Sequence, residues 1–261
     1  MKIGTIIAAL EQFAPLSLQD GFDNAGWQIG LTEDADASGA LLCLDVTEDV
    51  LEEAAAKRCN LVVSHHPLLF HPLKRITGED YVQRCAMRAI RMGIGLYAAH
   101  TNLDNAPGGV NAVMAGRLGL VDCRPLQPKE GVEGAGSGLV GRLPQPMPTV
   151  AFLQRVREAF AVPCVRHNAW QGGVVERVAL CGGAGAFLIP DAANCQADAF
   201  ITGEIGYHRF FGWEQQLLLA EIGHYESEQF TVNLLERIIR QAAPDVPVFR
   251  TGTQTNPIAY L

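Results

Sequence analysis

A chain of 261 residues with 48% apolar and 18% charged side chains has the composition of an ordinary globular protein, enough for one large α/β domain or two smaller lobes. Its net charge of -8, with no Lys/Arg cluster longer than a dipeptide, shows no basic footprint of a nucleic-acid-binding surface and argues against nonspecific DNA binding. No apolar run of about 18 residues is present and residues 1–5 lack the order of a signal peptide, so a cytoplasmic protein that does not span a membrane is expected.

Ile3, Ile6, Ile7, Leu10 and Phe13 recur at helical spacing, which predicts an opening amphipathic helix ended by Pro15. The pattern then alternates. Residues 40–46 read as a strand, and Thr47 caps a helix whose acidic first turn is Glu48 and Asp49 and whose apolar stripe is Val50, Leu51, Ala54 and Ala55. Residues 60–63 form the next strand, residues 81–92 a helix, and residues 94–99 a third strand; Val110, Val113, Met114 and Leu118 mark a further helix.

The Gly-rich stretch 131–141 reads as the start of a crossing between halves, which sets lobes at 1–130 and 131–261 with no inserted domain. Thr149 is expected to cap a helix carrying Phe152, Leu153, Val156 and Phe160. Strands at 177–181, 198–202 and 217–222 repeat the grammar of the first half. Residues 59–65 align with 197–203, and 96–100 with 219–223, as an internal duplication would leave them. Short, almost wholly apolar strands alternating with helices predict an α/β fold of two similar lobes, each sheet covered by helices, with ligands at the C-terminal ends of strands. Gly182-Gly183-Ala184-Gly185 suits either a phosphate cradle or a tight strand-to-helix turn. Seven cysteines are scattered without a C-x-x-C pair, and Cys43 and Cys181 lie in strand-like runs, so most are expected to be reduced core residues.

Chemistry concentrates at strand ends. His65-His66 follows Leu61-Val62-Val63 and precedes Pro67, whose turn breaks strand alternation and lets both rings approach one centre. Downstream stand His100-Thr101-Asn102-Leu103-Asp104, Thr202-Gly203-Glu204 with His208, and Gly223-His224-Tyr225-Glu226-Ser227-Glu228. Imidazole and carboxylate donors suit zinc, iron, manganese, cobalt or nickel, and the absence of thiolates argues against a closed structural zinc site. His224 and Glu228 are four apart and share a face if a helix begins near Tyr225. His65, His66, Asp104, His224 and Glu228 are more ligands than one catalytic ion needs and about enough for two. Each has a blander reading: a hydrogen-bonded loop pair, a turn cap at Asp104, a helix-terminal charge at Glu228. Their joint occurrence favours metal over several unrelated coincidences.

These motifs, with Asp23-Asn24-Ala25-Gly26-Trp27-Gln28-Ile29-Gly30 and Thr253-Gln254-Thr255-Asn256-Pro257, resemble in order those of the NIF-three-like family, whose bacterial members are called GTP cyclohydrolase I type 2 homologues. The resemblance implies two divalent cations per chain, with His66, Asp104 and Glu228 on one and His65, His224 and Glu228 on the other. It also implies a homohexamer. His100, Glu204, His208 and Tyr225 match family motifs outside the ligand set and become candidates for orienting ligands or moving protons. The implied activity is hydrolysis of a cyclic amidine or amide in a small molecule such as a nucleotide. A non-catalytic metal-binding regulator or metal-delivery protein is the competing class, and a structural metal assembly is disfavoured by the ligand type. The segment 250–254 suits a phosphate, a carboxylate or turn chemistry.

Overall fold

The structure is a computed structural model that describes residues 1–30 and 33–261. In chain order its strands are β1 (Gly26–Ile29), β2 (Ala40–Cys43), β3 (Leu61–Ser64), β4 (Gly95–Ala98), β5 (Val121–Pro128), β6 (Gly136–Pro148), β7 (Arg166–His167), β8 (Val174–Cys181), β9 (Ala199–Thr202), β10 (Leu218–Glu221) and β11 (Val248–Arg250). The α-helices are α1 (Ile3–Phe13), α2 (Glu48–Ala56), α3 (Tyr81–Met92), α4 (Thr101–Asn105), α5 (Val110–Leu118), α6 (Thr149–Phe160), α7 (Ile189–Asn194), α8 (His224–Glu228) and α9 (Thr231–Ala242). Among the described residues no helix is long and apolar enough to cross a membrane.

The chain groups into two compact units, Met1–Leu103 with Thr231–Ala259, and Asp104–Phe230 with Tyr260–Leu261. The first holds a five-stranded sheet ordered β1-β4-β3-β2-β11, in which only β1 runs antiparallel to its neighbour. β2, β3 and β4 are buried at every position, because helices cover both faces. Leu41, Cys43, Val62 and Leu96 pack with Val50, Leu51 and Ala54 of α2 and Cys85, Ala86 and Ala89 of α3. Tyr97, one residue out of phase with Leu96, faces the other way and donates its hydroxyl to Glu11 of α1 at 3.0 Å. The expected cap is present: the Thr47 hydroxyl accepts from the Val50 N–H at 3.3 Å.

The second unit holds a six-stranded sheet ordered β5-β6-β8-β9-β10-β7. β8, β9 and β10 are parallel, with Val178 opposite Ala199 and Ala199 opposite Leu218. This three-strand core has the register of the first unit, where Ala40 is opposite Leu61 and Leu61 opposite Gly95. Phe152, Val156 and Phe160 of α6 and Met114 and Leu118 of α5 pack on one face of the second sheet, while Leu188, Ile189 and Ala192 join Phe200 and Leu219 on the other.

Two expectations change. The stretch 131–141 is not a crossing: Val121–Pro128 and Gly136–Pro148 pair antiparallel, so the glycines serve the loop and second strand of a hairpin, and the boundary drawn at 130/131 falls inside its loop. Thr149 does not cap α6; it is the first helical residue, after Pro148, and its hydroxyl donates to the Gly172 carbonyl at 3.1 Å. All seven cysteines are free thiols, but only Cys43, Cys59, Cys85 and Cys181 are buried.

Candidate metal centre

In the first unit the functional side chains sit where β3 and β4 end. His65 N–H donates to the Cys43 carbonyl at 3.2 Å and His66 N–H to the Leu44 carbonyl at 2.9 Å, so the chain still follows β2 as it leaves the sheet. The Ser64 hydroxyl then donates to the His66 carbonyl at 2.7 Å and closes the turn before Pro67. Both rings fall on one side, with centroids 4.9 Å apart. His100, delivered by β4, brings its ring to 5.3 Å from His65 and 5.6 Å from His66. One ring nitrogen from each of the three lies within 4.8 Å of the other two.

The outer nitrogens are fixed by oxygen acceptors. His65 Nδ1 lies 2.8 Å from the Ala99 carbonyl, which can only accept, so Nδ1 carries the proton. His66 Nδ1 lies 2.7 Å from Asp45 Oδ1, and His100 Nδ1 lies 2.6 Å from Asp23 Oδ1. Burial works against the charge of Asp45, yet the bond from His66 and the Thr255 hydroxyl more than offset it and hold the carboxyl below its ordinary value. For Asp23, burial is likewise outweighed by hydrogen bonds from His100 and Thr101. The His-Thr-Asn motif is thereby explained: Thr101 donates its hydroxyl to Asp23, and Asn102 accepts the His100 N–H at 2.9 Å and donates to the Ala14 carbonyl at 2.7 Å.

In the second unit the equivalent strand ends, β9 and β10, carry Glu204 and His224. His224 opens α8, as its spacing from Glu228 requires, and its Nε2 lies 3.2 Å from Glu228 Oε2 while Nδ1 lies 2.8 Å from Glu204 Oε1. Glu228 is buried and Glu204 exposed. Gly203 is there because a Cβ would lie 2.6 Å from the Gly183 carbonyl oxygen and 2.9 Å from both His224 Cα and Ser227 Oγ. The Thr202 hydroxyl donates to that same carbonyl at 3.1 Å and accepts the Gly185 N–H at 3.0 Å. Gly183 N–H donates to Ser227 Oγ and Gly182 N–H to Asn111 Oδ1, both at 3.0 Å. The Gly182–Gly185 loop is therefore a strand-exit turn whose three glycine N–H groups are already engaged, which favours the turn over a phosphate cradle. It makes room for the site: a Cβ on Gly183 would meet Glu228 Oε1 at 2.5 Å and His224 Nε2 at 3.3 Å. Asp104 lies one residue before the end of α4 and is half-buried, its carbonyl accepting from Asn111 Nδ2 at 3.0 Å.

His208 is exposed in the 3-10 turn Tyr207–Phe210, its ring stacked on Phe211 with centroids 6.4 Å apart. Tyr225 is half-buried in α8. The sequence gives no role to Asp45 or Asn111, nor to Asp23 and Ser227, although these two stand inside the quoted motifs. Asp45 had a visible signal, a carboxylate within the otherwise apolar run from Ala40 to Val46, and Asn111 another, an amide on the apolar face of a helix.

The donor chemistry fits a divalent cation. Four histidines each direct Nδ1 to an oxygen, the arrangement that orients a ligating imidazole and turns Nε2 toward a cation; His224 differs in that its Nε2 also faces a carboxylate, that of Glu228. Carboxylates accompany the histidines within each unit, Asp23 and Asp45 in the first and Glu204 and Glu228 in the second.

A family model described as Duf34/NIF3 (NGG1p interacting factor 3) matches residues 1–257. The chain belongs to the DUF34/NIF3 family. Among DUF34/NIF3 relatives, a protein of Clostridium perfringens called GTP cyclohydrolase 1 type 2 homolog is 30% identical over 268 residues, covering 100% of both chains. One of the same name from Lactococcus lactis is 32% identical over 263 residues, covering 98% of each. Among solved structures, Staphylococcus aureus protein SA1388 superposes with a TM-score of 0.90 at 25% identity, covering 100% of this chain and 99% of that one.

Proposed function

We propose that this DUF34/NIF3 chain is a metal-dependent hydrolase that holds two divalent cations through His65, His66, Asp104, His224 and Glu228. The observation that carries the reading is the shared placement of the four histidines, each holding Nδ1 against an oxygen acceptor. Donor type supports it further, since imidazoles and carboxylates without thiolates characterise open catalytic sites. Bound cations would supply Lewis acidity and a water acidified toward neutrality.

The chain's own residues do the rest. Glu204 orients His224 through Nδ1, and being exposed it can also exchange a proton with solvent or substrate. His100, tied to Asp23, stands beside the His65-His66 pair and either completes a ligand set or passes a proton. His208, exposed beside Tyr207 and Phe211, is the candidate acid for a departing nitrogen. The name carried by the relatives points to a small molecule with a cyclic amidine or amide, nucleotides first. The family resemblance adds a homohexamer in the cytoplasm.

The test is elemental analysis of protein purified without chelator, followed by turnover with GTP, other cyclic amides and phosphoesters. About two metals per chain and hydrolysis lost on chelation and regained on reloading support the reading. One metal or fewer after reconstitution removes the dinuclear site. Full loading without turnover, combined with transfer of metal to an acceptor, replaces the hydrolase by a metal-delivery protein.

A further inference from the structure

We infer that the segment following β11 is a strap that orients His66, with Thr255 acting through Asp45 as a positioning residue and Glu53 anchoring the strap. The inference rests on His66 being a metal ligand as proposed above.

The strap begins in the sheet. Arg250 is opposite Leu42 of β2, and the next residue, Thr251, donates its N–H to the Leu42 carbonyl at 2.8 Å. The chain then leaves β11 and meets Glu53 of α2. The Thr251 and Thr253 hydroxyls donate to Glu53 Oε2 at 2.5 and 2.9 Å, and the Gly252 and Thr253 N–H groups donate to Oε1 and Oε2 at 2.9 and 3.2 Å. One carboxylate thus takes four donors from three consecutive residues, the kind of setting that fixes a turn and favours the ionised acid. Residues 250–254 do bind a carboxylate, and it is the chain's own.

Two residues further on, the Thr255 hydroxyl donates to Asp45 Oδ2 at 3.1 Å, while Asp45 Oδ1 accepts from His66 Nδ1 at 2.7 Å. With one oxygen on each partner the carboxylate cannot rotate without breaking a bond, so its plane, and through it the plane of the His66 ring, is set by Thr255. Thr255 is 9% exposed, and Asp45, which follows directly on β2 through Leu44, and His66 are half-buried, so the link runs from a buried hydroxyl to a partly exposed ring. A partner that orients a ligating histidine is typically worth about 10- to 100-fold in metal affinity; Thr255, one bond further out, belongs at the lower end.

The experiment compares wild type, Thr255→Val, Thr255→Ala, Thr255→Ser and Glu53→Gln as full-length proteins. The first readout is the His66 tautomer in metal-free protein, from long-range proton–nitrogen correlations on 15N-histidine-labelled samples. The second is Zn²⁺ affinity by competition with a chromophoric chelator. Wild type should hold His66 as the Nδ1–H tautomer. Thr255→Val and Thr255→Ala should show a mixture of tautomers and about 10-fold weaker Zn²⁺ binding, Thr255→Ser should restore both, and Glu53→Gln should shift both in the direction of Thr255→Val. Wild-type tautomer and affinity in Thr255→Val and Thr255→Ala overturn the strap. Wild type that binds no Zn²⁺ overturns the metal reading instead, and the tautomer measurement still decides the strap.

Discussion

Gly183 backs directly onto Glu228: a Cβ at residue 183 would stand 2.5 Å from Glu228 Oε1, well inside van der Waals contact. Its φ of +58° lies in the left-handed region, where an L side chain costs about 1–2 kcal/mol before any clash is counted. The position therefore couples backbone strain to the placement of one carboxylate. Gly183→Ala should lower thermal stability by a few degrees and displace Glu228, with Zn²⁺ affinity falling at least about 10-fold. Calorimetry and chelator competition check it. Unchanged affinity in the folded variant would mean that Glu228 does not bind metal in its present position.

Glu228 and Asp104 separate the two kinds of carboxylate in the proposed ligand set. A bridging carboxylate contributes to two coordination shells and a terminal one to a single shell. Glu228→Ala should thus weaken both metals, whereas Asp104→Ala should chiefly weaken one. Stepwise titration of each variant with Mn²⁺ or Zn²⁺ distinguishes them. Loss of the same single metal in both, or full retention in Glu228→Ala, would place the bridge elsewhere.

Asp23 accepts from His100 Nδ1, from the Thr101 N–H and hydroxyl, and from the Asn24 N–H. Every contact is a donor facing an acceptor. Asp23→Asn puts an NH₂ group against at least one of those donors, at a cost of about 1–3 kcal/mol. Thermal unfolding should show the loss, and a His100 tautomer no longer fixed at Nδ1 should accompany it in labelled protein. A variant as stable as wild type would mean that the cluster of donors is not anchored by charge.

How much of this was legible depended on whether a residue declares itself locally. Residues 3–13 and 81–92 were readable because apolar spacing and punctuation by Pro15 and Gly93 act within one turn of the helix they bound. His65, His66, His100 and His224 were readable because imidazoles recur at the ends of several apolar strands, each ordinary alone and unlike coincidence together. The link between Asp45 and Thr255 was not, since they are 210 residues apart and only the parallel pairing of β11 with β2 brings them together. The stretch 131–141 was misread for the opposite reason. Glycine richness signals loop and close strand packing alike, and Gly136, Gly138 and Gly141 lie within β6, where a Cβ would strike the adjacent strands β5 and β8.

Acid titration isolates the anchor of the strap. The bonds from Thr251, Gly252 and Thr253 outweigh burial and pull the Glu53 carboxyl from its ordinary value of 4.5 to about 2. A folded pKa below the unfolded one means that the unfolded chain binds the proton first as pH falls. The stabilisation by ionised Glu53 is accordingly complete above about pH 4.5, declines between there and pH 2, and is absent below. In Glu53→Gln no proton can be taken up at this position. Other groups, Asp23 and Asp45 among them, titrate in both proteins, so the difference in unfolding free energy between wild type and variant is the quantity to follow. That difference should favour wild type at pH 6, narrow steadily below pH 4.5 and reach its minimum near pH 2. Urea unfolding at half-unit intervals from pH 6 to the lowest pH at which both proteins fold measures it. A difference constant over this range would show that Glu53 has an ordinary acidity and that the turn at residues 251–253 does not depend on its charge.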